Sequence, residues 1–433
     1  MTTMRAYKMN TMLLGALLAL PTVTAVADND DNTPQRLSLG GYGEAVMSRN
    51  FYSEHFNRYR FPDEHKDDAS HGRFDLPHVT LNLGYDFGHG WTMGMEVEFE
   101  HGGTESAVEM DADESGEYEA ETEKGGEVAL EQFWVQKSFS PALNLRAGEI
   151  IVPVGATNQY HMPTEFFTVY RPEGESSILP CTWHQTGLSL WGRYKDWRYE
   201  VQLLSGLDSE RFGAESFVHY GATSSYEFKL ANSYAGALRI DNYSIPSLRL
   251  SASGYYGHTF NNTLKSHAAA KYDGCKGALA IASFDFMLRR WNWIVRGNFD
   301  YAHLGDASLI STFNNSFPKH TLQDGSPSKR QPVAESAVAA SIEAGYNVFA
   351  HVQRLNRQKL YVFGRYEYYD AMNSGSNSDA YRWCKKNRIA LGLNYFPVRE
   401  VVIKGEYSLR KLDAPYNNEP SINVGIAYTG WFL

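Results

Sequence analysis

The chain of 433 residues has little cysteine and no long apolar segment. Beyond residue 27, no window approaches the roughly 18 consecutive apolar residues that a membrane-spanning helix needs, which excludes a helical membrane protein. The three cysteines, Cys181, Cys275 and Cys384, are an odd number, so at most one intramolecular disulfide can form. No His or acidic residue stands near them at a metal-ligand or catalytic spacing, which argues against metal or nucleophile chemistry at these thiols.

Basic residues are also in deficit, with 40 Lys and Arg against 50 Asp and Glu. The first 27 residues are typical of a secretory signal peptide: Arg5 and Lys8 precede an apolar run at 12–20, and Ala25-Val26-Ala27 forms a small-residue cleavage site. Removing this segment leaves 38 basic and 50 acidic side chains, a net charge of −12. Such a charge argues against a nucleic-acid partner.

Aromatic residues and glycine, in contrast, are abundant. The chain has 28 Tyr, 23 Phe, 9 Trp and 37 Gly. An exported chain of this composition without spanning helices indicates a β protein. A closed barrel is the one β architecture that can cross a bilayer, because it leaves no strand edge unpaired.

Apolar and polar residues alternate through much of the sequence. Residues 79–87 and 91–99 place apolar side chains at odd positions and polar ones at even positions, and the short Gly-His-Gly link between them predicts a hairpin. A soluble sandwich would alternate as well, so repetition decides between the two. Similar segments, each about 9–11 residues long as a tilted membrane strand requires, lie at 196–205, 248–256, 291–301, 360–368, 388–396, 401–410 and 422–432.

The links between these segments alternate between short and long. Long polar links lie at about 49–72, 101–126, 153–183, 207–228, 259–276, 304–333, 371–386 and 411–420, and seven short links separate them. This pattern predicts an all-β fold for residues 28–433: a transmembrane antiparallel up-and-down β-barrel of 16 strands. We expect the short turns on the periplasmic side and the long loops outside.

A barrel of this size leaves an aqueous lumen, and strand parity predicts what faces it. The inward cations are Arg146, Arg198, Arg239, Arg249, Arg296, Arg365, Arg388, Lys404 and Arg410. The inward anions are Asp86, Glu96, Glu98, Glu100, Glu200, Asp300, Glu343, Glu367 and Glu406. Because the acids concentrate on early strands and the bases on later ones, a transverse field across the lumen is one prediction; a generic solvated lining is the alternative.

The segment "LRAGEIIVPVG", residues 145–155, resembles the phosphate-selective porin O and P family. The resemblance implies a trimer of sixteen-stranded barrels whose third loop folds into the lumen and narrows it. It makes Pro153 and Gly155 the hinge of a constriction loop at 153–183. Phosphate selectivity in that family depends on lysines and an arginine ladder, whereas residues 154–183 contain no Lys and a net charge of −2. Phosphate is therefore not the expected solute.

The sequence thus predicts a porin of the Gram-negative outer membrane, in contact with outer-membrane lipid, for passive diffusion of ions and small hydrophilic solutes. A homotrimer is implied by the resemblance, and we expect a weak preference for cations. The predicted pore-lining or constriction residues are Arg146, Glu165, Arg171, Glu173, Glu175, Arg198, Arg249, Arg296, Arg365 and Lys404. No catalytic residue, metal ligand or cofactor is expected.

Two other functions remain open at this point. A surface barrel for adhesion or metal capture would use His55, His65 and His71 in the first long loop, or the acidic second loop around Asp111, Asp113 and Glu114. An enzyme would use His161 and Glu165, which are four residues apart and share a face if "MPTEFF" forms a helical turn. No nucleophile motif accompanies that pair.

Overall fold

The computed structural model describes residues 36–111, 119–223, 229–262, 272, 274–315, 332–375 and 378–433. The predicted signal peptide, residues 1–27, lies outside these ranges, as do Asp113 and Glu114 of the acidic loop. Within the described residues no helix has the length and apolar character to cross a membrane.

The chain forms one antiparallel sheet of 17 strand segments. They are β1 (Leu37–Asn50), β2 (His71–Asp75), β3 (His78–Gly88), β4 (Trp91–Asp111), β5 (Glu119–Ser140), β6 (Leu143–Ile151), β7 (His184–Tyr194), β8 (Trp197–Ser205), β9 (Tyr234–Asn242), β10 (Leu248–His258), β11 (Ala278–Arg290), β12 (Trp293–Leu304), β13 (Ser336–Asn347), β14 (Lys359–Ser374), β15 (Lys385–Phe396), β16 (Val401–Lys411) and β17 (Glu419–Trp431).

Helical structure is confined to the links. The α-helices are α1 (Glu173–Ile178) and α2 (Ala307–Asn314). Short 3-10 turns lie at Phe56–Tyr59, Ser209–Arg211, His219–Ala222, Phe260–Asn262, Val348–His351, Gln353–Leu355 and Ser378–Cys384.

The sheet closes on itself through β1. One edge of β1 pairs with β17 from Gly40 opposite Trp431 to Asn50 opposite Ser421. The other edge pairs with β3 and then with β2, which form one wall strand interrupted at residues 76–77. Pro77 has no N–H to give to the ladder, so the interruption falls where the sequence requires it. The wall therefore has 16 strands, which confirms the predicted fold class.

The two faces of each strand differ as the alternation predicts. In β8, Val201 and Leu203 are about half exposed on the outer face, while Arg198, Glu200 and Gln202 are buried on the inner face. The same pattern recurs around the wall and gives the barrel an apolar exterior. Lipid is the solvent that this surface requires, and it leaves the lumen as the place for charge.

The second long link differs from the prediction of an exposed loop at 101–126. Strands β4 and β5 extend beyond the wall, with paired residues from Glu105 opposite Gly125 to Asp111 opposite Glu119. Gly102, Gly103 and Gly126 adopt positive φ at the point where the register shifts, and pairing then resumes. The acidic composition concealed this hairpin because charge alone does not report backbone pairing.

Apolar side chains fill part of the lumen at the long-loop end. Ile150, Leu204, Leu279 and Leu304 face inward near the ends of their strands and are fully or almost fully buried. They belong to one cluster with apolar residues of the loops, including Val152, Trp183, Leu207, Phe212, Phe217, Ile310 and Phe313. An entirely water-filled lumen is therefore wrong at this level, because the loops fold inward and cover the strand ends.

An arginine at the centre of the outer face should destabilise the barrel. Val201→Arg in the middle of β8 places a guanidinium against hydrocarbon, and we expect a loss of about 2–4 kcal/mol of unfolding free energy. Ile245→Arg, in the short link 243–247, is the control and should cost about 0–1 kcal/mol, since that position lies at the interface. Urea unfolding in lipid vesicles measures both. Equal losses for the two variants would contradict an apolar, lipid-facing wall.

Candidate functional site

The third long link, residues 152–183, enters the barrel and is called here the lumen loop. Its first and last residues are hydrogen-bonded to each other, since the N–H of Val152 donates to the carbonyl of Trp183 at 2.8 Å. Asn158 joins the two ends again: its amide donates to the Val154 carbonyl and its oxygen accepts the N–H of Trp183, each at 2.9 Å. These bonds hold the two ends of the loop together at the wall, and this junction of residues 152–158 with Trp183 is called here the neck.

The predicted hinge at Pro153 and Gly155 lies in this neck, and both residues are buried. Gly155 has φ +85°, and a Cβ there would stand 2.3 Å from Oε1 of Glu175. Its N–H donates to Ser253 of β10 at 3.1 Å, and its carbonyl accepts from Arg239 of β9 at 3.0 Å. Conformation, space and hydrogen bonding together account for glycine at this position.

Glu175, in α1, closes the turn that follows the hinge. Its carboxylate accepts the N–H groups of Ala156 at 2.8 Å and Thr157 at 2.7 Å, and the Asn298 amide approaches it at 3.3 Å. Burial raises the pKa of Glu175 to about 7, despite the two backbone donors that favour the ionised form. The predicted constriction residue is thus a structural acceptor for the loop itself.

Glu173 fixes the same helix to the opposite wall. Its carboxylate accepts from Nε of Arg410 at 2.6 Å and from the Tyr369 hydroxyl at 2.8 Å, and Nε of Arg388 lies at 3.3 Å. Burial raises the pKa of Glu173, but Arg410 and Arg388 outweigh that effect and hold it at about 2. This carboxylate is ionised at any physiological pH and is fully engaged.

Lys404 and Glu406 of β16 hold the middle of the lumen loop by its backbone. The ammonium of Lys404 donates to the carbonyls of Phe166 at 3.1 Å and Thr168 at 2.8 Å. Glu406 accepts the N–H of Val169 at 3.0 Å. Charged wall side chains thus satisfy the irregular backbone of the loop, as buried polar groups require.

Arg171 binds the lumen loop to the early strands β1 and β4. Its guanidinium donates to the Tyr42 hydroxyl at 3.1 Å and to Thr182 at 3.0 Å, and it lies 3.4 Å from Oε1 of Glu98. Burial lowers the pKa of Arg171, yet Tyr42 and Glu98 more than reverse this and raise it well above its usual value. The guanidinium is a permanent positive charge among the acids of β1 and β4.

His161 and Glu165 are held by different groups and form no acid–base pair. The His161 ring bonds to the Asn158 carbonyl at 3.0 Å and contacts the edge of Tyr42, and burial lowers its pKa to about 4. The backbone N–H of Glu165 donates to the Met162 carbonyl at 2.8 Å, which closes a turn. Burial raises its pKa to about 7 against the opposing charges of Arg289 and Arg296, and its Oε2 accepts no hydrogen bond from the described residues.

The predicted wall arginines all face inward, and most are paired with carboxylates of neighbouring strands. The pairs are Arg198 with Glu200 and Asp241, Arg249 with Asp285, Arg296 with Glu343, and Arg365 with Glu343 and Glu367, at 2.5–3.5 Å. Arg146 differs, since it donates to the side-chain carbonyl of Gln136 and stacks 4.3 Å from the ring of Trp134.

The simple transverse field is therefore wrong for the later strands, because their bases are neutralised both by predicted inward acids such as Glu343 and Glu367 and by acids that the prediction missed. Asp241 of β9 and Asp285 of β11 are such acids, and parity applied to those two segments would have found them. Glu131 of β5 was also missed, for a different reason. The register shifts between Glu96 and Val97, so a bulge turns Glu131 inward beside Gln132.

Two clefts remain beside the lumen loop. One, with about 30 Å³ of space accessible to water, is lined by Arg249, Arg296 and Arg365 together with Tyr160 and Asn298. The other, with about 50 Å³, is lined in part by Tyr42, Glu96, Arg146, Arg198 and His161. Five of the ten predicted residues thus lie on these clefts. The other five, Glu165, Arg171, Glu173, Glu175 and Lys404, position the loop or sit within it.

The histidines of the first long loop do not converge. The rings of His55 and His65 stack with centroids 4.2 Å apart, and His65 bonds to Asp68 at 2.9 Å. His71 instead contacts Asn50 at 3.0 Å. The three cysteines are free thiols, so the one disulfide that their number allowed does not form.

Replacing the hinge glycine should disturb the lumen loop. Gly155→Ala forces a Cβ into the left-handed region, which costs about 1–2 kcal/mol, and also displaces Glu175 from Ala156 and Thr157. We expect a lower urea midpoint and faster proteolysis within 152–183. Gly405→Ala on β16 is the control, because nothing lies within 4 Å of its added Cβ. Unchanged stability of Gly155→Ala would mean that the hinge is not constrained as described.

The sequence matches no established family profile. A protein of Aquifex aeolicus (strain VF5), described as uncharacterized, is 26% identical over 382 residues, which cover 86% of this chain and 75% of that protein. The resemblance of residues 145–155 to the phosphate-selective porins stays a prediction.

Among solved structures, the outer membrane channel DcaP of Acinetobacter baumannii is similar with a TM-score of 0.50 at 11% identity, over 91% of this chain and 97% of that one. The anion-selective porin from Comamonas acidovorans gives a TM-score of 0.49 at 12% identity, over 91% and 99%. At this identity the likeness to DcaP concerns the fold: the chain is a porin-like barrel.

Proposed function

We propose that the protein is an outer-membrane channel through which ions and small hydrophilic solutes diffuse passively. The observation that carries the proposal is the lumen loop, which leaves β6, crosses the interior of a sixteen-stranded barrel and is bound by Lys404 of β16 and by the Tyr42 hydroxyl of β1. A barrel with an apolar exterior and a charged interior is built to pass polar solutes. A homotrimer, implied by the resemblance of residues 145–155, is part of the proposal.

The passage is narrow in this proposal. The inward charges beside the loop, such as Glu343 and Glu367, are completely buried, so the loop packs against the wall at this level. The two clefts, with only about 30 and 50 Å³ of space accessible to water, are the route that solutes would use, and the loop must shift for anything larger to pass. Their lining by guanidinium, carboxylate and aromatic groups favours small polar or charged solutes over apolar ones.

The proposal includes a weak preference for cations and assigns it to one carboxylate of the lumen loop. Glu173 is neutralised by Arg388 and Arg410, and Glu175 is occupied by backbone amides. Glu165 is the loop carboxylate with an oxygen that accepts no hydrogen bond from the described residues. Glu165 lines neither cleft and this oxygen is buried, so its charge, the least compensated of the three, acts on a passing ion through its field.

Planar-bilayer recording of the purified, folded barrel tests the channel itself. We expect stepwise ion currents and, in a salt gradient, a reversal potential on the cation side. The matched sample is the same protein heat-denatured in the same detergent, which should give no steps. A folded barrel that passes no detectable current would overturn the proposal, and a chloride-selective reversal potential would overturn its cation preference.

Selectivity should depend on pH through Glu165. Its folded pKa of about 7 lies above the ordinary value of 4.5, so the carboxyl is neutral below about pH 7 and ionised above it. Cation preference should therefore rise as pH increases through 7. Glu165→Gln should flatten this rise, while Glu400→Gln, an exposed carboxylate in the short link 397–400, should leave it intact. A pH dependence that survives in Glu165→Gln would show that the Glu165 charge does not set the cation preference.

A further inference from the structure

A compact group of metal-ligating side chains lies on the inner wall, beside Arg171 of the lumen loop. His78 opens β3, and Glu98 and Glu100 face it from β4, where the ladder pairs His78 directly with Glu100. Nδ1 of His78 is 2.8 Å from Oε1 of Glu98 and 3.6 Å from Oε1 of Glu100. One ligand atom from each residue lies within 4.8 Å of the other two.

A second observation points to the same place from β1. Glu44 is only 5% exposed, and its Oε2 accepts no hydrogen bond from the described residues. Its other oxygen, Oε1, lies 4.0 Å from Nε2 of His78, on the opposite side of the imidazole from Glu98. A buried carboxylate with an unsatisfied oxygen is costly, and a cation bound beside His78 would offset its charge.

The local balance of charge favours a bound cation. The side chains of Glu44, Glu96, Glu98 and Glu131 are all at most 5% exposed on the wall of β1, β4 and β5. Arg171 supplies the guanidinium that contacts this group, at 3.4 Å from Glu98. Four buried carboxylates outnumber the cations beside them, the Arg171 guanidinium and, near Glu44, the Lys404 ammonium, and a divalent ion offsets the charge of those that are ionised.

We propose that His78, Glu98 and Glu100 bind a divalent transition-metal ion, with Glu44 orienting the imidazole. An imidazole with carboxylates suits Zn²⁺ or a similar ion better than Ca²⁺, which takes oxygen ligands alone. Ligands bonded at about 2.0–2.1 Å in tetrahedral geometry stand roughly 3.3 Å apart. The observed 2.8 and 3.6 Å bracket that separation, and the third, between Glu98 and Glu100, is at most 4.8 Å, so side-chain rotation can bring the three ligand atoms around one ion.

Each residue has a distinct part in the site. Nδ1 of His78 binds the ion, and its Nε2–H then points to Glu44, which fixes the tautomer as a neighbouring carboxylate does in many zinc sites. Glu98 is shared between the ion and Arg171. The side chain of Glu100 is 31% exposed and that of His78 is 15% exposed, which leaves an open side through which an ion can enter and water can complete the coordination.

Calorimetry on the refolded full chain in detergent, after treatment with a chelator, tests the site. Titration with Zn²⁺ should show one binding event per chain that Glu100→Gln and His78→Asn each weaken at least tenfold. Ca²⁺ titrated at the same concentrations should not reproduce that event. Glu98 is left unchanged because its loss would also release Arg171.

His65→Asn is the matched control, since His65 also bonds to a carboxylate, that of Asp68 at 2.9 Å, in the first long loop. It should leave the Zn²⁺ affinity unchanged. If His78→Asn does not fold, Glu100→Gln carries the test, supported by the visible absorption of Co²⁺, whose ligand-field bands should change in that variant. Equal Zn²⁺ affinity in wild type, His78→Asn and Glu100→Gln would overturn the proposal, as would a site that prefers Ca²⁺. Bilayer currents do not enter this test, so its failure and that of the channel are separable.

Discussion

Pairing of charge inside a closed wall is the interaction on which the rest of the structure depends. The exterior faces lipid, so the charged side chains of the wall strands turn inward, where unpaired ions are costly. On the later strands this yields a ladder in which guanidiniums pair with carboxylates of the same or a neighbouring strand. Arg388, for example, lies 3.0 Å from Glu367 and 2.9 Å from Glu406. The ladder ties neighbouring strands together across the inner face.

The wall carboxylates that pair with arginines also accept hydrogen bonds from the lumen loop. Glu367 is paired with Arg365 and Arg388, and it also accepts the N–H groups of Glu173 at 3.1 Å and Gly174 at 3.4 Å. A change in one wall carboxylate would therefore disturb both its arginine neighbours and the loop backbone. The position of the loop is coupled to the wall through these shared acceptors, since a carboxylate has enough lone pairs to serve several donors.

Parity in the sequence predicts the wall well, because an apolar exterior enforces a period of two over each strand. It predicts the number of strands, the inward direction of Arg198 and Glu343, and the link at 153–183, which the structure has at 152–183. It fails where the period is interrupted, as at the bulge beside Glu131. The docking of the loop could not be predicted, because Lys404 and Thr168 are 236 residues apart and no local pattern joins them.

Inward charge is compensated differently on the early and on the later strands of the wall. Later strands alternate acid and base, so their charges cancel within the wall, whereas β1, β4 and β5 present Glu44, Glu96, Glu98 and Glu131 with few bases of their own. The loop sends Arg171 to that acidic side and Glu173 to the basic side, so its own charges complement both walls. Arg171, with Lys404 near Glu44, supplies fewer positive charges than there are carboxylates. Because buried charge must be compensated, the early wall is where mobile cations should concentrate, whether they pass through or remain bound.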